Sequence, residues 1–341
     1  MTTHPIRYLV LWLTTACNLS CAYCYRGEQP PMSMPFDVAE AALRLAGASG
    51  LPFHVQMAGG EPTLEPGTIE AIAKTVRRSG WPATMAIQTN GTLLSEKLIA
   101  ICRQYGVDIN VSIDGPPSIQ EKLRGNAKAA FCGLDLLSRL KMTTRVTAVL
   151  SSGNVGCLGE LVLCLAAFPN IRGIALDPLV KKGKAAEDGC SEPEPAAITA
   201  NVRDMLGALD MVNRMRAIPI RLREYDAVRR ALRNDYVKGV YCHACLGESL
   251  AVHPDGTVYP CGQTVGDRTK TAGNLDNIDW ALLRDMYAGV ELRDNCGECG
   301  LNGRCPGDCP SRLQYNAGAS TDAMCAVYRT IADRVSGMEI S

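Results

Sequence analysis

Two rhythms of apolar and polar positions take turns along residues 6–179. Short apolar or alternating runs at Ile6–Thr14, 53–60 ("FHVQMAGG"), 83–91 ("ATMAIQTNG"), 107–115 ("VDINVSIDG"), 143–152 and 171–179 predict strands. Between them, apolar spacings of three and four predict helices over 34–50, 66–80, 95–106, 129–141 and 155–168. Ser95 is placed to cap the third helix and Gly106 to stop it. Strict β/α alternation implies parallel strands joined by helical crossovers. Six such units make a partial or open barrel, since a closed one needs eight.

The rhythm then changes. Residues 181–193 form a polar connector, and 195–215 have helical spacing. From about 236 onward glycine, proline and cysteine crowd in, and periodicity fades until a last helix near 321–336. The expected organisation is an α/β barrel over 1–180, a connector with helices over 181–235, and a small domain over 236–341. The last is expected to be held by metal rather than by a large apolar core.

In parallel β/α folds chemistry gathers at the C-terminal ends of the strands. The polar and glycine-rich signatures fall at those ends: Cys17, Cys21 and Cys24 after the first strand, "GGEP" (59–62), "QTNG" (88–91), "SIDG" (112–115), and Asp177. Composition narrows the chemistry further. Lys+Arg and Asp+Glu are both 35, and there is no long basic run, which argues against nucleic acid or an anionic membrane as partner. No stretch of 18 apolar residues is present, so no membrane span is expected. "YLVLWL" before Cys17 is too short and too poorly flanked for a secretory signal.

Of 16 cysteines, three lie near position 20 and eight between 242 and 325. Metal-ligating thiols in a reducing cytoplasm account for them better than disulfides. The remaining five, Cys102, Cys132, Cys157, Cys164 and Cys190, read as small buried hydrophobes. Three clustered thiols can hold three irons of a [4Fe–4S] cluster and leave the fourth iron open. A zinc knuckle with a distant fourth ligand is the alternative.

The C-x3-C-x2-C spacing followed by "GGEP" on the next strand resembles the radical S-adenosylmethionine (SAM) superfamily. That resemblance implies that Cys17, Cys21 and Cys24 carry the cluster. In that family SAM chelates the open iron and is reductively cleaved to a 5′-deoxyadenosyl radical, and the resemblance implies the same here. It also implies SAM contacts from Tyr23 (the adenine), Gly59, Gly60 and Glu61 (the strand-end backbone), Ser112, and Arg124 (the SAM carboxylate). Glycines at 59 and 60 would let a ligand approach the backbone closely. One departure from related sulfatase maturases is Ala58, where they carry Gln.

The C-terminal string "CHAC … CGECGLNGRCPGDC" and Cys325 resembles the SPASM extension of the same superfamily. The resemblance implies two auxiliary [4Fe–4S] clusters. Cys245, Cys261 and Cys309, with Cys242 as closing ligand, would hold the first; Cys296, Cys299, Cys305 and Cys325 would hold the second. Two redox-silent zinc ribbons are the alternative for this region.

The implied activity is hydrogen abstraction followed by oxidation of a substrate, expected to be a ribosomally made peptide that gains a thioether or carbon–carbon crosslink. A small-molecule or cofactor-pathway oxidase is the second reading, and an iron–sulfur carrier or zinc module with no SAM chemistry the third. Gly262 stands where sulfatase maturases have a general-base Asp, so formylglycine formation is not expected. Asp177 and Asp114 are the replacement acid/base candidates, being strand-end carboxylates. A flavodoxin or ferredoxin is the expected reductant. With only about 16 residues before Cys17, peptide recognition is expected from the barrel mouth, the connector or a separate protein.

Overall fold

The structure is a computed structural model and describes residues 4–187, 190–233, 241–287, 296, 299–316 and 322–339. Positions 188–189 of the predicted connector, and 321 at the start of the predicted last helix, lie outside the described residues. Six strands follow one another across a sheet in chain order: β1 (Tyr8–Trp12), β2 (Phe53–Ala58), β3 (Ala83–Thr89), β4 (Val107–Ser112), β5 (Thr144–Leu150) and β6 (Ile171–Pro178). All five neighbouring pairs are parallel. The crossovers are α1 (Phe36–Gly47), α2 (Pro66–Arg78), α3 (Glu96–Tyr105), α4 (Pro117–Leu123) with α5 (Ala127–Arg139), and α6 (Leu158–Ala166). This is the six-unit partial barrel.

Local chemistry explains the elements. α1 buries Ala39, Ala42, Leu43 and Ala46, one stripe at spacings of three and four. Ser95 Oγ accepts the Leu98 N–H at 3.2 Å, and Gly106 ends α3 at φ 63°. Such a cap stabilises a helix by about 1 kcal/mol. α4 escaped the periodicity because seven residues opening on Pro117 carry too little pattern.

The connector itself holds a short helix, α7 (Lys184–Glu187), and beyond it lie α8 (Pro195–Arg214), β7 (Arg221–Leu222) and α9 (Arg223–Leu232). β7 extends the sheet past β6. The cysteine-rich region extends it at the other edge: β8 (Ser249–Val252) pairs parallel with β1, and β9 (Val258–Tyr259) pairs antiparallel with β8. α10 (Trp280–Asp285), α11 (Pro310–Tyr315) and α12 (Asp322–Glu339) complete the described chain. Leu250, Val252 and Val258 join the same apolar cluster as the barrel, so this region does share a core with it.

β2 alternates: Phe53, Val55 and Met57 are buried under the helices, whereas His54, Gln56 and Ala58 face the barrel interior half-exposed. Gln88, Asn110 and Thr147 repeat that polar inner face on β3, β4 and β5. A closed barrel fills its interior with bulky apolar layers. Here the interior is polar and hollow, as a ligand site requires. The scattered cysteines fare differently from expectation: Cys102 is buried, but Cys132 is exposed on α5 and Cys157, Cys164 and Cys190 are partly exposed.

Candidate functional site

The loop after β1 carries Cys17, Cys21 and Cys24 at the C-terminal end of the barrel. Its own polypeptide bonds hold it from several sides. The N–H groups of Gly60 and Glu61 donate to the Thr14 and Ala16 carbonyls at 2.7 and 2.9 Å. Asn18 bonds Asn90 and Thr92 at 2.9 and 2.8 Å, and the Ala22 N–H donates to the Leu123 carbonyl at 2.9 Å. The loop therefore spans the ends of β2, β3 and α4.

The glycine pair serves this anchoring. A Cβ on Gly59, whose φ is 141°, would sit 2.4 Å from the Thr14 carbonyl oxygen, and one on Gly60 would sit 2.1 Å from that of Ala16. The expected close approach is real, but the chain that approaches is the cysteine loop itself. Gly60→Ala is expected to push this loop away and destabilise the protein by about 1–3 kcal/mol, the usual cost of overpacking. Chemical denaturation checks this; an unchanged midpoint would refute it.

The Glu61 side chain is turned into the framework. Its carboxylate is 1% exposed and accepts from Thr63 N and Oγ1, Thr89 Oγ1 and Asn90 N at 2.6–3.0 Å. It ties the ends of β2 and β3 together, and its side chain is not offered to a ligand. Tyr23 is likewise an anchor. It is 5% exposed, packs with Leu123, Leu179 and Ala185, and donates its hydroxyl to Asp114.

Asp114 is fully buried and accepts from Tyr23, from Arg124 Nε (2.8 Å) and Nη2 (3.2 Å), and from the Val149 N–H (2.9 Å). The Asp114 carboxylate is thus engaged by framework groups and sealed from solvent, not turned toward the barrel cavity. Arg124 spends Nε and Nη2 on Asp114 and lies over the Tyr23 ring, 5.3 Å from its centroid. Burial opposes its charge, but the Asp114 carboxylate outweighs burial and holds the guanidinium firmly protonated.

Ser112 and Asp177 do face inward. Ser112 Oγ accepts from Gln88 Nε2 at 2.9 Å, which leaves its own proton to donate. Asp177 lines the barrel cavity with its side chain 44% exposed, and its Oδ1 accepts from Arg223 Nη2 at 2.8 Å. Of the two predicted carboxylates, it alone reaches the cavity.

The thiols fall into three sets. Cys17, Cys21 and Cys24 are electrostatic neighbours. Burial, then the adjoining thiols, push Cys21 up to about 11, against the pull of Arg124. Buried Trp12 Nε1 and Arg26 Nε, close to this loop, are donors with no partner among the described residues. Crowded thiols beside orphaned donors suit a group that brings cations to the sulfurs and acceptors to the N–H groups.

In the second set Cys242 and Cys245 share a hydrogen bond that raises Cys242 and lowers Cys245. Cys309 neighbours both Cys242 and Cys261, and burial, then Cys261, push it up to about 12. In the third, Cys305 neighbours Cys325, Cys299 and Cys296, and burial pushes it up to about 11. Among the described residues no three His, Cys, Asp or Glu stand close enough to hold a single metal ion.

Two residues missed by sequence reasoning join these sets. Lys182 donates to the Gln263 and Val265 carbonyls at 3.0 and 2.8 Å and senses both Cys261 and Cys24. Tyr25 packs edge-on against Trp12 and senses Cys24, Cys261 and Asp177; burial first, then these anions, raise its phenol. Tyr25 was discernible as the second tyrosine of "YCY". Lys182 lay hidden in a string that reads as linker.

The profile of the radical SAM superfamily matches residues 13–153. A GTP 3′,8-cyclase of Parasynechococcus marenigrum is 31% identical, over 84% of this chain and 89% of its own. A serine-type anaerobic sulfatase-maturating enzyme of Klebsiella aerogenes is 26% identical, over 96% and 85%. Among solved structures, anSMEcpe with bound AdoMet has a TM-score of 0.79 at 20% identity, covering 98% of both chains. SuiB of Streptococcus suis bound to its precursor peptide SuiA has a TM-score of 0.67 at 17% identity, covering 91% and 73%.

Proposed function

This chain belongs to the radical SAM superfamily, in the subgroup with a SPASM-like extension, and we propose that it is a maturase that oxidises a ribosomally made peptide through a thioether or carbon–carbon crosslink. The observation that supports the reading is the gathering of eleven cysteines into three sets of electrostatic neighbours. Cys17, Cys21 and Cys24 would hold the SAM-binding [4Fe–4S] cluster. Cys242, Cys245, Cys261 and Cys309 would hold one auxiliary cluster, and Cys296, Cys299, Cys305 and Cys325 the other. When bound, these groups supply the low-potential electron that cleaves SAM, the hydrogen-abstracting radical, and a sink for the electron the substrate gives up.

The chain's own residues orient and protect. Ser112 offers a donor at the end of β4. Gly59 and Gly60 hold the cysteine loop against β2. Arg124, Tyr23 and Asp114 lock its far side. Asp177, held by Arg223, is positioned to take a proton from substrate. Lys182 and Tyr25 wall the space between the first and second thiol sets. A flavodoxin or ferredoxin in the cytoplasm would supply electrons, and a separate protein could present the peptide.

The test is anaerobic reconstitution. About twelve irons and twelve sulfides per chain are expected, with dithionite-dependent release of 5′-deoxyadenosine. A short peptide encoded beside the gene should lose two hydrogens per crosslink; no mass change on any such peptide would overturn the peptide reading. Cys242→Ala is expected to change the electron paramagnetic resonance signal of one auxiliary cluster while SAM cleavage persists. An unchanged spectrum would remove Cys242 from the ligand set.

A small-molecule substrate is the second reading. The 31%-identical relative is named for its action on GTP, and the polar barrel interior here has the size of a small-ligand site.

A further inference from the structure

A cavity of about 760 Å³ runs from Asp177 and Gln88 through the barrel interior and opens beside β6, β7 and α9. Its inner wall is neutral and polar, with Gln56, Gln88, Asn110 and Thr147. The rest of the lining carries charge: Arg145, Arg172, Arg221, Arg223 and Arg230 stand against only two carboxylates, Asp177 and Asp226. The whole chain has 35 basic and 35 acidic residues, so this excess is local.

Two of the five arginines are committed to the protein. Arg223 pairs with Asp177 and Glu224, and Arg172 Nη1 donates to the Pro169 and Ile171 carbonyls. The guanidinium groups of Arg145, Arg221 and Arg230 have no ion-pair or hydrogen-bond partner among the described residues. They come from three separate elements, the N-terminal ends of β5 and β7 and the last turn of α9. Like charges gathered round one opening raise each other's energy, and an anion relieves it.

We propose that this opening binds the oxyanion of a small ligand, a phosphate or a carboxylate, with the rest of the ligand lying along Gln56, Gln88 and Asn110 toward Asp177. Guanidinium forks match both oxyanions bidentately. The cavity lies within the usual range for small-ligand sites. As a substrate subsite the inference rests on the radical reading; as a binding site it does not, because it can be measured without turnover.

The experiment is anaerobic isothermal titration of the reconstituted protein with sodium pyrophosphate and, separately, with tetraglutamate at low salt. Saturable binding of at least one probe is expected. It should weaken about tenfold or more in Arg145→Gln/Arg230→Gln and fall with added salt. SAM cleavage without substrate should be unchanged in that variant, which also establishes that it folds. Arg44→Gln, an exposed arginine on α1, should bind like the wild type. Pyrophosphate alone would assign a phosphate ester, tetraglutamate alone a carboxylate, and both the shared chemistry. No saturable binding of either probe, equal binding in the double variant, or an equal loss in Arg44→Gln would overturn the site.

Discussion

Replacing Cys17, Cys21 and Cys24 together by alanine should bring 5′-deoxyadenosine production to background and lower iron from about twelve to about eight per chain. The fold should survive. The loop is fixed by bonds that do not involve sulfur: Thr14 to Gly60, Ala16 to Glu61, Asn18 to Asn90 and Thr92, and Ala22 to Leu123. All three thiols are partly exposed, so removing them opens no large cavity. The other two thiol sets hang on β8, α11, α12 and their loops, and none of their residues takes part in those anchoring bonds. The auxiliary clusters should therefore load normally, and their signals should match the wild type. Persistent SAM cleavage would refute the assignment of this loop. Loss of nearly all iron would mean instead that the sets fold as one unit.

Strand and helix order was legible because each element satisfies its own pattern: period two over β2 and β5, spacings of three and four over α1 and α2, a serine cap and a glycine stop on α3. The first thiol set could be read from three cysteines on one short loop, whereas the partition of the C-terminal cysteines came only with the family resemblance. What the sequence withheld depends on partners distant in the chain. β8 is four residues long, and its pairing with β1 spans some 240 residues of sequence. The polar connector reads as solvated. Yet Gly183, at φ 58°, sits so close to Cys24 that a Cβ would meet the Cys24 carbonyl oxygen at 2.6 Å, and the Lys184 N–H donates to that oxygen at 3.1 Å. Glu61, Tyr23 and Asp114 matched expected positions, but the side chains turn into the protein. A motif fixes where the backbone goes; whether a side chain faces ligand or framework depends on who else arrives.

Asp114 makes that distinction measurable. One carboxylate, two residues past the end of β4, binds three parts of the molecule: Tyr23 of the cysteine loop, Arg124 at the end of α4, and the Val149 N–H of β5. Arg124 is only 9% exposed at its side chain, so water cannot replace the carboxylate if it is neutralised. Asp114→Asn keeps the shape, but it leaves a buried guanidinium uncompensated and turns an NH2 toward donors. Breaking a buried pair in this way costs about 3–5 kcal/mol. Denaturant unfolding should register that loss in full. The variant should also bind SAM more weakly, because Tyr23 is released and the cysteine loop keeps only its Ala22–Leu123 bond to α4. Asp114→Asn/Arg124→Met should recover part of the stability, since it removes the stranded charge as well. A surface ion pair would cost about 1 kcal/mol or less and show little coupling in the same cycle. A single-variant loss that small would mean that Asp114 and Arg124 are not the lock described. Arg124 would then be available to a ligand's carboxylate, as the family resemblance first implied.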